Sequence, residues 1–177
     1  THPPRWRIVS TEHFDIHYTA ESESVVGRVA ARLEKAYRDV TVDLGVPVPG
    51  RTPFFLYAHH NRFEECAIVD VGEGVGGVTE AFKNRLSIYH DGTDAWLDHV
   101  IPHEFAHVVQ FEALYGGFWR SARLLKSPLY PLWFLEGLAE YEGGKPDFVE
   151  EDMYLRDAAS SGRLYRLADL HGFAHLR

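Results

Sequence analysis

The sequence predicts an α+β fold, and three observations carry that expectation. Short segments of period-two alternation lie in the first half. One long amphipathic stretch follows the first of them, and helix-periodic apolar segments dominate the second half. At 177 residues, 45% hydrophobic and 25% charged, the chain has the composition of one domain with a sizeable core. A single domain over residues 1–177 is therefore expected.

Residues 6–9 and 14–19 read as a strand pair. In the second, Phe14, Ile16 and Tyr18 alternate with Asp15 and His17, as on a half-buried strand. Residues 23–44 read as a helix, because Val26, Val29, Ala30, Leu33, Ala36, Tyr37, Val40 and Leu44 recur at steps of three and four. Ser22 or Ser24 is placed to cap its start and Gly45 to end it. Residues 53–58 read as a short buried strand, with His59 and His60 in the loop beyond. Gly72 to Gly77 satisfies G-x-G-x-x-G, but a dinucleotide site needs that loop to open into a helix. Here Val78 to Phe82, a turn at Lys83-Asn84, and Leu86 to Tyr89 follow, so the segment is a Gly-rich entry to a hairpin. Thr93 or Asp94 is placed to cap a helix from Ala95 to about Leu114. Pro102 inside it removes one backbone hydrogen bond, which predicts a kink or a restart. Pro131 reads as the first residue of a helix over about 131–142, ended by Gly143-Gly144. A last helix is expected over roughly 150–161.

Charge and composition exclude several functions. The net charge is −8 and no stripe of Lys and Arg exists, so nucleic acid is not an expected partner. No apolar run approaches the length of a membrane span, and no signal peptide opens the chain. It begins at Thr1, which leaves its compartment open. Cys66 is alone, so an internal disulfide and a cysteine metal cage are both ruled out, and any metal must be held by His and carboxylates.

The chemistry concentrates in two segments. In His103-Glu104-Phe105-Ala106-His107, two His four apart on a helix stand one above the other, so their ring nitrogens can share one ion. Glu104 lies between them, where a carboxylate can take a proton from a metal-activated water. The second segment, Trp133 to Tyr141, is apolar around Glu136 and Glu140, which share a helix face. Gly137 and Ala139 are small enough to admit a neighbouring helix. Carboxylates in such surroundings are usually paired or bound to a cation. Two His, one carboxylate and an open fourth position form a catalytic zinc set. The plainer alternative is an amphipathic helix with solvated glutamates. His99, four before His103, drifts too far round the helix to be a good third ligand. His171 and His175 form a loose pair without a carboxylate.

H-E-F-A-H followed by L-E-G-L-A-E-Y, together with W-R-I-V-x-T-E-H-F-D-I-H-Y and G-G-V-T-E-A-F-K-N, resembles the gluzincin peptidases. The likeness is to thermolysin, the aminopeptidase N group and, more specifically, the bacterial peptidase MA-like domains often fused to a Tol-like β-propeller. It covers most of the chain. It implies a zincin catalytic domain whose N-terminal sheet and long helix precede the metal-bearing helices. It further implies Zn2+ on His103, His107 and Glu136, Glu104 as general base, a peptide or protein substrate, and an extracytoplasmic setting. Two features depart from the family pattern, namely Pro102 directly before the first ligand and the lack of a propeller, which suggests a piece of a longer protein. Glu140 is then placed to accept the second ring N–H of His103. The resemblance puts the substrate-binding edge strand at Gly77–Phe82, with Gly77, Val78, Thr79 and Glu80 as its binding residues. Related aminopeptidases hold the substrate α-amine with a Gly-x-x-Glu there, but Ala81 replaces the Asn that follows it. Strand alternation leaves open which way Glu80 points. Tyr115, Tyr130, Tyr141 and His171 are all candidates for the oxyanion donor. An inactive interaction module and a hydrolase of a non-peptide amide or ester are the alternatives to peptide hydrolysis.

Overall fold

The computed structural model describes residues 5–66, 77–80, 85–116, 130–144 and 148–170. Among the described residues, ten main elements lie in the order β1 (Arg7–Ser10), β2 (Phe14–Tyr18), α1 (Val26–Asp43), β3 (Thr52–Tyr57), α2 (His60–Cys66), β4 (Gly77–Glu80), β5 (Arg85–Tyr89), α3 (Asp94–Tyr115), α4 (Leu132–Glu142) and α5 (Phe148–Ser160). The fold is α+β. Its five-stranded sheet runs β1-β2-β3-β5-β4. The three inner strands are parallel and the two outer ones antiparallel to their neighbours.

The alternation of β2 decides which face is covered. Phe14 and Ile16 are fully buried, as are Phe54 and Leu56 of β3 and Leu86 and Ile88 of β5. They form one core with Val29, Leu33, Ala36 and Val40 of α1 and with Leu97, Ile101, Phe105 and Val108 of α3. Each fully buried side chain of this size contributes about 1.5–3 kcal/mol, so this layer positions the two helices firmly against the sheet. A second, smaller cluster gathers Trp6, Phe55, Tyr57, Phe63 and Tyr89.

α1 ends where its sequence requires. Gly45 takes φ +66°, its N–H bonds to the Val42 carbonyl, and Val46 N–H reaches back to the Thr41 carbonyl. Its start departs from expectation. Neither Ser22 nor Ser24 caps it, because a 3₁₀ turn over Ala20–Ser22 leads in and the Ser22 carbonyl takes the Val25 N–H. Pro131 likewise precedes its helix. Its ψ of 139° is extended, and its carbonyl accepts from Phe134 and Leu135 at 3.0 and 3.4 Å. His60 opens α2 and does not lie in a loop, since Phe63 packs on Tyr57 and Tyr89 with ring centroids 5.8 Å from each. α3 runs unbroken through Pro102, with no restart. Buried Leu97, Val100, Ile101 and Phe105 hold both sides of the proline to the core. The G-x-G-x-x-G loop up to Gly76 and the expected turn at Lys83-Asn84 lie outside the described residues.

Candidate metal centre

α3 carries the H-E-x-x-H segment, and its start is fixed at several points. Thr93 Oγ1 accepts the Trp96 N–H at 3.2 Å, the cap expected from sequence. The Trp96 indole donates to the Tyr89 carbonyl at 2.9 Å, tying the helix to β5. Arg28 meets Asp94, and Arg32 meets Asp98 at 2.7 Å, between α1 and α3. These pairs are exposed and add little stability, so the rotation of α3 about its axis follows from its buried side chains. The core face of that rotation is Leu97, Ile101, Phe105 and Val108. His103 and His107 consequently emerge on the side covered by α4, with side chains only 18% and 12% exposed.

The approach of α4 depends on Ala139, one of the two small residues the sequence suggested, and on Gly143, which it did not suggest. Gly137 is exposed, and nothing would touch a Cβ there. Ala139 is fully buried, and Gly143 is one turn further on the same side. A Cβ on Gly143 would stand 3.2 Å from the His103 Cβ and 3.2 Å from the His99 ring. Helical rotation puts 139 and 143 on the inner face and turns 137 outward.

Three donors converge from the two helices. His103 Nε2 and His107 Nε2 lie 3.8 and 3.5 Å from the same oxygen, Oε2 of Glu136. All three ligand atoms are within 4.8 Å of one another. Around a tetrahedral zinc with bonds of about 2.0–2.1 Å, neighbouring donors stand about 3.3 Å apart. The His–carboxylate separations are therefore already close to those of a loaded site, and the donor set fits zinc.

The other ring nitrogens of the two His meet different partners. His103 Nδ1 lies 3.2 Å from Glu140 Oε2, yet the pair is misaligned for a hydrogen bond, and among the described residues Nδ1 has no other partner. Glu140 thus acts on His103 through charge. Its second oxygen is 3.7 Å from His99 Nε2, while His99 Nδ1 stands 3.1 Å from the Gly143 carbonyl. His99, His103 and Glu140 also cluster, but on the opposite edge of the His103 ring from Glu136. His107 Nδ1 meets Gln110 Oε1 at 3.2 Å. Gln110 went unnoticed in the sequence, although a polar residue three after His107 within Val108-Val109-Gln110-Phe111 was a usable signal.

Burial pushes the His103 pKa down, the charge of His107 adds to this, and Glu140 and Glu136 oppose it. His107 is also pulled down by burial. The hydrogen bond to Glu136, the charges of Glu104 and Glu136, and the Gln110 contact outweigh this and leave its pKa raised. The hydrogen bond with His107 holds the Glu136 carboxyl below its ordinary value, against the effect of burial. A neutral His103 and an ionised Glu136 are the states a divalent cation requires, and His107 is where a proton competes with it. Glu104, only 6% exposed, sits close enough for its charge to bear on His107.

The remaining residues singled out from sequence are placed as follows. Gly77, Val78, Thr79 and Glu80 form β4, an edge strand that lies against α3, with Glu80 in register with Arg85. Ala81 and Phe82, expected to extend it, lie outside the described residues, as does His171. Tyr141 is 76% exposed and Tyr130 partly buried. A third His–carboxylate group, Glu12, His13 and Glu34, is a structural pair. The Glu34 carboxylate takes the His13 backbone N–H at 3.0 Å and meets its ring Nδ1 at 2.7 Å, and the ring stacks on Tyr37 at 3.6 Å. No helix among the described residues is long and apolar enough to cross a membrane. No protein-family model matches the chain, and no curated protein or solved structure is significantly similar to it.

Proposed function

We propose that this chain is a zinc-dependent peptidase of the gluzincin type, its α+β domain a zincin. The observation that carries this reading is the convergence of His103 Nε2, His107 Nε2 and Glu136 Oε2 from two packed helices within 4.8 Å. His103 and His107 would hold the ion from α3 and Glu136 from α4. When bound, zinc supplies an acidified water and a polarised substrate carbonyl. Glu104 moves the proton, accepting it from the attacking water and returning it to the leaving amine. Gln110 meets the His107 ring, and the charge of Glu140 bears on His103. An extended peptide adds to the edge of the sheet at β4, pairing by backbone hydrogen bonds alongside α3.

Metal analysis tests the reading directly. Purified protein should carry about one zinc per chain, and His103→Ala should lose it. A peptide mixture incubated with the zinc-loaded protein should be cleaved. Full zinc retention by His103→Ala overturns the ligand assignment, and stoichiometric zinc without turnover favours an interaction module over an enzyme.

A further inference from the structure

Gln110 is 4% exposed on the α3 face that meets α4. A buried amide that leaves a donor or acceptor unmet costs about 1–3 kcal/mol, so its orientation is dictated by its neighbours. One neighbour decides it. The amide nitrogen donates to the Leu135 carbonyl at 2.9 Å, and a carbonyl can only accept. The amide oxygen must then be the atom facing His107 Nδ1 at 3.2 Å. An oxygen acceptor requires that nitrogen to carry the proton. Nε2 faces the Glu136 carboxylate at 3.5 Å, a side that calls for a proton or a cation, so when a metal ion displaces the proton there Nδ1–H stays on Gln110 and the Nε2 lone pair is presented to the ion.

The same side chain makes a second connection. Leu135 immediately precedes Glu136, so the bond to its carbonyl fixes the α4 backbone beside the third ligand. One amide therefore touches both helices at the residues that present two of the three donors. His103 is served differently, by the charge of Glu140 without an aligned hydrogen bond.

We propose that Gln110 is a positioning residue that holds His107 in the Nδ1–H tautomer and so presents Nε2 to a metal ion, an inference that rests on the zinc reading above. The plain alternative is that Gln110 only stitches α3 to α4. Two variants of the full chain separate these. Gln110→Leu removes both bonds. Gln110→Glu keeps an oxygen acceptor for His107 and disturbs the bond to Leu135. Zinc affinity is measured by competition with a chromophoric chelator, thermal stability by calorimetry, and the tautomer by long-range proton–nitrogen NMR correlation of the imidazoles.

Zinc-loaded wild type should show His107 bound through Nε2 with its remaining proton on Nδ1. Gln110→Leu should bind zinc about 10–100-fold more weakly. Gln110→Glu should stay within about threefold of wild-type zinc affinity while losing thermal stability as Gln110→Leu does. Zinc-loaded wild type with His107 bound through Nδ1, or with no proton on Nδ1, overturns the proposal without any variant having to fold. So does unchanged zinc affinity in Gln110→Leu, or an equal loss in both variants. A wild type that binds no zinc overturns the metal reading itself, and this role with it.

Discussion

Glu104→Gln separates the proton carrier from the metal ligands. The substitution conserves volume at a position 6% exposed and leaves His103, His107 and Glu136 in place. Loss of a general base costs about 10²- to 10⁴-fold, or about 2.7–5.5 kcal/mol of barrier. The burial of Glu104 places the result toward the upper end, because little bulk water can reach the site to substitute for the carboxylate. The charge of Glu104 also helps raise the His107 pKa. Its removal should ease that proton off and move the acid limit of zinc binding to lower pH. The expected variant is thus fully zinc-loaded at neutral pH, slightly better than wild type at holding zinc in mild acid, and nearly inactive. Mass-spectrometric digestion of an unstructured peptide mixture, with zinc stoichiometry on the same samples, measures both. Turnover above about a tenth of wild type would remove Glu104 from the mechanism. Loss of zinc alongside activity would show it to be part of the ligand set.

Three further outcomes follow from the same packing. Phe105→Ala should destabilise the fold by about 3–5 kcal/mol in urea unfolding, since its fully buried ring meets Phe14 at 5.4 Å and Tyr37 at 5.6 Å. Glu34→Gln should cost about 1–3 kcal/mol at neutral pH. Burial alone would raise the Glu34 pKa, but hydrogen bonds from His13 and Thr11 outweigh it and leave it lowered from 4.5. A lowered carboxylate stabilises the fold above its unfolded pKa and loses that contribution as pH falls through the folded value, so the gap between variant and wild type should close below about pH 4.5. Zinc affinity should fall about tenfold per pH unit once pH drops below the raised His107 pKa, because that proton must leave first; a flat chelator-competition profile from about pH 8 to 6 would contradict this.

The features legible in the sequence were those settled within a few residues of chain. Alternation in β2, the stripe of α1, the Gly45 termination and the Thr93 cap are all local, and each is present. The four-residue step from His103 to His107 is local as well, which is why their shared face could be read directly. Tertiary partners decided the rest. Serine caps on α1 gave way to a 3₁₀ entry, and α2 forms around the buried Phe63. The third donor shows the difference most clearly. Glu136 and Glu140 share a face at the same spacing as the two His, so spacing cannot say which carboxylate meets which nitrogen. That choice follows from how far α4 slides along α3. Close approach is possible where Ala139 and Gly143 meet the His99–His103 side, and the slide is pinned where Gln110 holds the Leu135 carbonyl. Ala139 and Gly143 bear no chemistry of their own. Yet a larger residue at 143 would move α4 away from His103, and with it the oxygen on which both Nε2 atoms converge.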